Sequence, residues 1–242
     1  MYSIFRKEWN LFFSSLMAYV SMGVFLLVVG LNVWVFQGNI LESGYATLDS
    51  FFGITPWVLI FLIPAITMRS MSDEYSAGTI ETLATKPVTD VQIISGKYLA
   101  ALALWTFTFI PTLLYFLCIA MLDVESNGID SGATIGSYIG LFLLGAVFTA
   151  IGLFASSLSN NQIVAFLLGV LLCYMLYDAF YRISTLPFIV GKADYWIQYL
   201  GLDAHYDAIS RGVVDTRDVL YFLSVIVVFL GFTKIALERR KW

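Results

Sequence analysis

The sequence predicts an all-α polytopic membrane protein with six transmembrane helices, on the grounds of its composition, its long apolar runs and the placement of its charges. Of its 242 residues, 60% are apolar and 12% are charged, whereas a soluble domain carries about 25% charged residues. A helix needs about 20 mainly apolar residues to cross a bilayer. The runs that predict spans are 16–36, 54–69, 97–122, 135–156, 162–182 and 218–237.

Residues 1–15, which precede the first span, predict an amphipathic helix. Ile4, Phe5 and Trp9 fall near one helical face, opposite Lys7 and Asn10. Such a pattern is typical of a helix in the membrane interface, although an early start of the first span would also explain it. The run that follows is too long for a signal peptide.

Lysine and arginine placement predicts the orientation of the chain. With six spans, both termini lie on one side, and that side carries nine of the thirteen basic residues, against four on the other. Because cytoplasmic loops are rich in lysine and arginine, both termini are expected in the cytoplasm.

The segment 70–96 is the one sizeable loop on the predicted cytoplasmic side. Ser70 with Asp73 resembles a helix-capping box, and Thr89 with Gln92 offers a second one. Pro87 separates the two. The loop is therefore expected to fold as a helix, a proline turn and a second helix that leads into span three.

The outer loop, 183–217, contains a short apolar stretch at about 186–201. Pro187 and Gly191 interrupt it. This pattern predicts a broken, re-entrant or interfacial helix pair before the last span.

Small residues recur in span four, beginning with Gly136-x-x-x-Gly140. Such spacing allows close approach between membrane helices, either inside one subunit or at a dimer interface. Asp178 and Arg182, one helical turn apart, predict a structural ion pair at the outer end of span five.

Four polar residues fall at depth in the predicted spans. Hydrogen bonds between helices or the lining of a substrate path would explain them. They are Asn32, Thr106, Thr108 and Thr112.

The sequence offers no catalytic constellation. His205 is the single histidine, so histidine-pair zinc motifs are excluded, and Gly96-Lys97 lacks the remainder of a P-loop. The formal charge of -4 argues against a nucleic-acid partner. We therefore expect no enzyme activity, no metal site and no cofactor on this chain.

One motif indicates a family. The loop Glu74-x-x-x-Gly78-Thr79-Ile80-Glu81, followed by Lys86-Pro87 and Gly96-Lys97, resembles the cytoplasmic loop of ABC-2 type transporter permeases. The layout agrees over nearly the full length, as one domain spanning 1–242. Within that family the chain looks closest to the gliding-motility-associated permeases of Bacteroidetes.

The resemblance implies a permease subunit of an ATP-binding cassette exporter in a bacterial inner membrane. A P-loop ATPase on a separate chain would hold ATP and Mg²⁺, and a second permease subunit would complete a homo- or heterodimer. By position, the residues that would face the ATPase are Asp73, Glu74, Tyr75, Gly78, Thr79 and Glu81.

Two other functions stay open at this stage. A membrane scaffold or anchor of a motility or secretion assembly would need the same coupling loop. An ion-coupled secondary transporter would show inverted repeats and charges at mid-membrane, and neither is evident in the sequence.

Overall fold

The structure, a computed structural model, is helical in every element of its described residues, which are 1–36, 40–43, 47–79, 88–122, 130–187, 189, 191, 194–212 and 214–239. The first helices are α1 (Tyr2–Ser14), α2 (Leu16–Trp34), α3 (Ile40–Ser43), α4 (Asp49–Thr67) and α5 (Arg69–Ser76). Next come α6 (Asp90–Phe109), a 3-10 turn (Ile110–Thr112), α7 (Leu113–Leu122), α8 (Ser131–Leu158) and α9 (Gln162–Tyr174). A π turn (Met175–Ala179), α10 (Phe180–Ser184), α11 (Asp194–Gln198), α12 (Leu202–Ser210) and α13 (Thr216–Arg239) complete the described elements.

Six of these helical stretches are long and apolar enough to cross a membrane, which confirms the predicted fold class. Spans one to six are Leu16–Trp34, Asp49–Ser76, Asp90–Met121, Ser131–Leu158, Gln162–Ser184 and Thr216–Arg239. Because the number of spans is even, α1 and the C-terminal helix end at the same end of the bundle, here called the α1 face. The other end is called the opposite face.

Span two is longer than predicted, because it takes in the first part of the loop 70–96. Met68 joins α4 to α5 in right-handed helical geometry, with φ -53° and ψ -32°, so the chain continues without a true helix start. The predicted capping box at Ser70 is therefore wrong: Ser70 lies inside the helix, and no side chain caps α5. The extension carries Asp73, Glu74 and Tyr75, three of the six predicted ATPase-facing residues, on the end of a membrane helix.

The second predicted capping box is confirmed. The Thr89 side chain accepts a hydrogen bond from the Gln92 amide, and the Thr89 amide donates to the Gln92 side chain at 3.3 Å. This satisfies two amide groups that a helix start leaves unpaired. Span three therefore begins at Asp90.

Span four is the centre of the bundle. Within its most apolar window 78% of the residues are buried, compared with 11% for span six, because spans two, three, five and six all pack against span four. Glycines make this possible. A Cβ atom at Gly145 would lie 2.2 Å from Trp105 of span three, and one at Gly152 would lie 2.1 Å from Thr67 of span two.

Two spans are locally irregular. The 3-10 turn Ile110–Thr112 interrupts span three at Pro111, where proline cannot donate a helical hydrogen bond. The Tyr138 hydroxyl of span four donates to the Thr112 carbonyl at 2.9 Å. In span five, one π turn, Met175–Ala179, replaces regular helix.

At the opposite face, the described residues between spans five and six form two short helices, α11 and α12. Leu202, at the start of α12, is completely buried. The Tyr206 hydroxyl donates to the Phe52 carbonyl of span two at 3.0 Å. The second helix of the pair is thus packed into the bundle.

Candidate functional site at the α1 face

Four charged side chains from three segments meet at the α1 face and form what we call the ion cluster: Lys7 and Glu8 of α1, Glu74 of α5 and Lys97 of span three. The Lys97 ammonium lies 2.8 Å from Glu8 Oε1 and 3.0 Å from Glu74 Oε1, and it also donates to the Ser70 carbonyl. Lys7 Nζ lies 2.7 Å from the same Glu74 oxygen. The cluster contains two positive and two negative charges, so it is neutral as a whole.

Lys97 is the buried centre of this cluster. Its side chain is 1% exposed, whereas that of Lys7 is 53% exposed. An ammonium group has three donors and no acceptor, and here it donates hydrogen bonds to Glu8 and to the Ser70 carbonyl and forms an ion pair with Glu74. Full pairing of this kind is what makes a buried charge tolerable.

The pKa of Lys7, the exposed lysine of the ion cluster, is raised by its acidic neighbours. Partial burial alone would lower the pKa of Lys7, but the hydrogen bond to Glu74 and the charges of Glu74 and Glu8 raise that pKa above its ordinary value of 10.5. Glu74 has one further feature. Its second carboxylate oxygen, Oε2, is buried and has no hydrogen-bond partner among the described residues.

Helix α1, predicted as an amphipathic interfacial helix, is confirmed as a helix and packs along the first part of span three. The Ile4 side chain packs on the backbone of Gly96, where a Cβ atom would come within 3.0 Å of it. Farther along both helices, Phe13 makes an edge-to-face contact with Phe107 at 5.7 Å between ring centroids. Glu8, which contacts Lys97, lies between Ile4 and Phe13 along α1.

The predicted ATPase-facing residues divide into an inward and an outward set. Glu74 is 8% exposed and points into the ion cluster. The Asp73 carboxylate accepts a hydrogen bond from Gln162 at the start of span five. Tyr75 is half-buried, and Glu81 lies outside the described residues.

The outward set is the turn that ends α5. Residues 76–79 are all exposed. Gly78 has φ +65°, a left-handed conformation that glycine adopts without strain and that commonly ends a helix. Thr79 stays close to the helix end, since its hydroxyl donates to the Glu74 carbonyl at 3.4 Å.

Gly136 and Gly140, predicted as a packing motif or a dimer interface, lie against α12 of the same chain. A Cβ atom at Gly136 would come within 2.8 Å of the Ile209 carbonyl, and one at Gly140 within 3.2 Å of the Tyr206 ring. These contacts favour packing inside one subunit over a contact between subunits.

The threonines predicted as possible path-lining residues turn their hydroxyls to their own helix. Thr106, Thr108 and Thr112 donate to the carbonyls of residues 102, 104 and 109, respectively, at 2.7–2.9 Å. Thr108 and Thr112 are buried, whereas Thr106 borders an apolar groove of about 510 Å³ between spans three and four. Asn32 is half-buried in span one.

A second polar cluster, at the opposite face, was not predicted. His205 Nδ1 lies 2.6 Å from Asp218 Oδ1, and His205 Nε2 lies 3.0 Å from the Tyr199 carbonyl. The imidazole ring also stacks on Tyr221 at 3.9 Å. This cluster joins α12 to the start of span six. The predicted pair of Asp178 and Arg182 is present in span five.

Glu8 and Lys97 were not predicted as site residues either. Lys97 counted in the sequence only as a basic residue at the end of a span and as part of the family motif. The available signal was a lysine inside an apolar helix, because a charge in such a place needs a partner.

The fold and the ion cluster define a multi-pass α-helical membrane protein in which the end of span two is anchored to α1 and span three by charged side chains. The family model described as ABC-2 family transporter protein matches residues 2–242. The chain therefore belongs to the ABC-2 transporter family. No protein in a search of curated sequences matches it.

Membership in this family defines the chain as a membrane permease subunit of an ABC transporter. Proteins of this family are membrane components and not the catalytic subunits. The family also implies an ATPase partner.

Proposed function

We propose that this chain is the permease subunit of an ABC exporter and that the turn 76–79, at the end of α5, docks a separate P-loop ATPase. The observation that carries this proposal is the exposed turn on the end of a membrane helix whose inner side is held by buried charges. ATP binding and hydrolysis on the partner would move this helix end. Movement would then alternate the exposure of a path between two permease subunits in a bacterial inner membrane.

The exposed turn is suited to close contact with another protein. Ser76, Gly78 and Thr79 present small side chains or none, so a partner can approach the backbone closely. The last carbonyls of a helix also attract positive charge through the helix dipole. An ATPase surface with lysine or arginine would therefore fit this end of α5.

The support behind the turn makes it suitable for transmitting force. Asp73 is held by Gln162 of span five, and Arg69 donates to the same Gln162 side chain at 3.2 Å. The Ser156 hydroxyl of span four accepts from the Met71 amide at 3.0 Å. A push on the turn would therefore reach spans four and five directly.

The docking role can be tested by co-purification. The tagged chain would be isolated in mild detergent from membranes that contain its ATPase, as the parent, as Ser76→Arg and as Ser131→Arg. Both serines are exposed, but Ser131 lies at the opposite face. We expect the ATPase to be lost with Ser76→Arg and retained with Ser131→Arg.

Equal retention of the ATPase in both variants would contradict docking at this turn. If even the parent retains no ATPase, transport driven by an imposed ion gradient would test the secondary-transporter alternative. An exporter would transport a substrate, whereas a scaffold or anchor would keep its assembly without any transport. Measuring transport with the assembly intact therefore separates the two roles. A link to gliding motility is part of the proposal only through the sequence resemblance.

A further inference from the structure

We infer that the ion cluster makes α1 a moving part of the transporter, so that a displacement of α5 by the ATPase carries α1 and the start of span three with it. This inference rests on the proposed docking at the turn 76–79. Its new element is the role of α1, through Lys7 and Glu8, and of Lys97 as the positioning residue that joins the three segments.

Both charged side chains of α1 reach across to a different segment. Lys7 pairs with Glu74 of α5 at 2.7 Å, and Glu8 pairs with Lys97 of span three at 2.8 Å. Lys97 in turn pairs with Glu74 at 3.0 Å. Each of the three segments is therefore bonded to both of the others.

Burial makes these links stiff. Glu8, Glu74 and Lys97 are each less than 10% exposed, so water cannot readily replace a broken contact. Separating α1 from span three would leave the buried Glu8 carboxylate without Lys97, which is far more costly than the loss of a surface pair. Motion of all three together keeps every pair intact and is the low-energy motion.

Stability alone is a weak explanation for such a cluster. Replacement of a complete buried ion pair by apolar side chains is often neutral or stabilising. What charged pairs supply in addition is a defined relative position of the segments. At this site, the charged pairs fix the position of α5, which ends in the proposed docking turn, relative to α1.

The test removes both charges of α1 together. Lys7→Met/Glu8→Met removes one positive and one negative charge, so Lys97 and Glu74 remain a neutral pair. The matched control is Lys234→Met/Glu238→Met, which makes the same chemical change at an exposed surface pair with a distance of 3.5 Å. Both would be made in a background of Cys118→Ser and Cys173→Ala, because these are the cysteines of the chain.

Motion would be measured by spin-label distances in the complete permease–ATPase complex. One label at Leu11→Cys reports α1 and another at Arg69→Cys reports α5, outside the docking turn, each paired with a label at Ile135→Cys near the opposite face; all three positions are exposed. Distances would be recorded without nucleotide and with ATP and vanadate.

We expect a nucleotide-dependent shift at both labels in the parent and in the control. In Lys7→Met/Glu8→Met we expect the shift at Arg69 to persist and the shift at Leu11 to be lost. An unchanged shift at Leu11 in that variant, or no shift at Leu11 in the parent, would overturn the inference while the docking proposal stands. Failure of the parent to retain the ATPase would overturn both.

Should the double variant be too unstable to purify, Gly96→Ala provides a second measurement. It would displace α1 through the Ile4 contact and leave all four charges in place. Because the ion cluster stays intact, we expect an unchanged shift at Leu11, and a lost shift would assign the coupling to the packing of Ile4 on Gly96 and overturn the inference.

Discussion

Trp105 of span three lies directly against Gly145 of span four: a Cβ atom on Gly145 would come within 2.2 Å of the indole nitrogen. Trp105 is 1% exposed and also makes an edge-to-face contact with Phe25 of span one at 5.6 Å. Because Gly145 has no side chain, the Trp105 ring of span three fits against span four and also contacts span one.

Gly145→Ala is therefore expected to destabilise the protein, because the Trp105 ring has to move within a packed core. Overpacking of this kind costs about 1–3 kcal/mol. The measurement is the thermal unfolding midpoint in detergent. Gly23→Ala is the control, since a Cβ atom at Gly23 meets nothing within 4 Å. Equal midpoints for the two variants would contradict the packing role of Gly145.

Lys97→Met is expected to be the most damaging single change in the ion cluster. It leaves Glu8 and Glu74 close together with only the half-exposed Lys7, and breaking a buried pair in this way costs about 3–5 kcal/mol. Lys7→Met should cost about 1 kcal/mol or less, as exposed pairs do. Unfolding in denaturant would compare the two lysines.

A double variant separates the loss of charge from the loss of packing at Lys97. Lys97→Met/Glu74→Gln leaves one positive and one negative charge, so it is expected to be more stable than Lys97→Met alone. If the double variant is less stable than the single one, unpaired charge is not the reason for the damage.

Asp203 of α12 is expected to make stability depend on pH. Burial, together with the negative charge of Asp207, raises the pKa of Asp203 from 3.8 to about 6. The folded state therefore holds the proton more tightly than the unfolded state, and stability falls as the pH rises from about 4 to about 6.

Asp203→Asn removes this penalty. The variant should match the parent near pH 4 and have a higher unfolding midpoint than the parent above pH 6. Glu238→Gln, at an exposed carboxylate of span six, should follow the parent throughout. A constant difference between Asp203→Asn and the parent at all pH values would show that ionisation of Asp203 is not responsible.

Tyr138→Phe is expected to weaken the contact between spans three and four at the 3-10 turn. It removes the hydroxyl that donates to the Thr112 carbonyl at 2.9 Å. A buried acceptor left without its donor costs about 1–3 kcal/mol. The thermal midpoint in detergent would measure this loss, with Tyr19→Phe as the control, because Tyr19 is 56% exposed. Matching midpoints for the two variants would argue against the hydrogen bond as a source of stability.

The sequence by itself determined the features that depend on local composition. The six spans follow from apolar runs, because each apolar segment can enter the bilayer as a helix that satisfies its own backbone hydrogen bonds. The start of span three follows from Thr89 and Gln92, which are neighbours on one helical turn. The failed capping box at Ser70 had the same spacing, with Asp73 in place of a glutamine or glutamate, but the helix of span two continued through it.

Only the tertiary structure decided which partners the polar and small residues take. Glu74 was predicted to face outward from its motif, yet it pairs inward with Lys97, and Lys97 pairs with Glu8, which is 89 residues away along the chain. Gly140 could have served a subunit interface, and the fold places Tyr206 against it. Such choices depend on how helices pack in three dimensions, because a buried charge or a glycine surface is matched by whichever segment the fold brings to it.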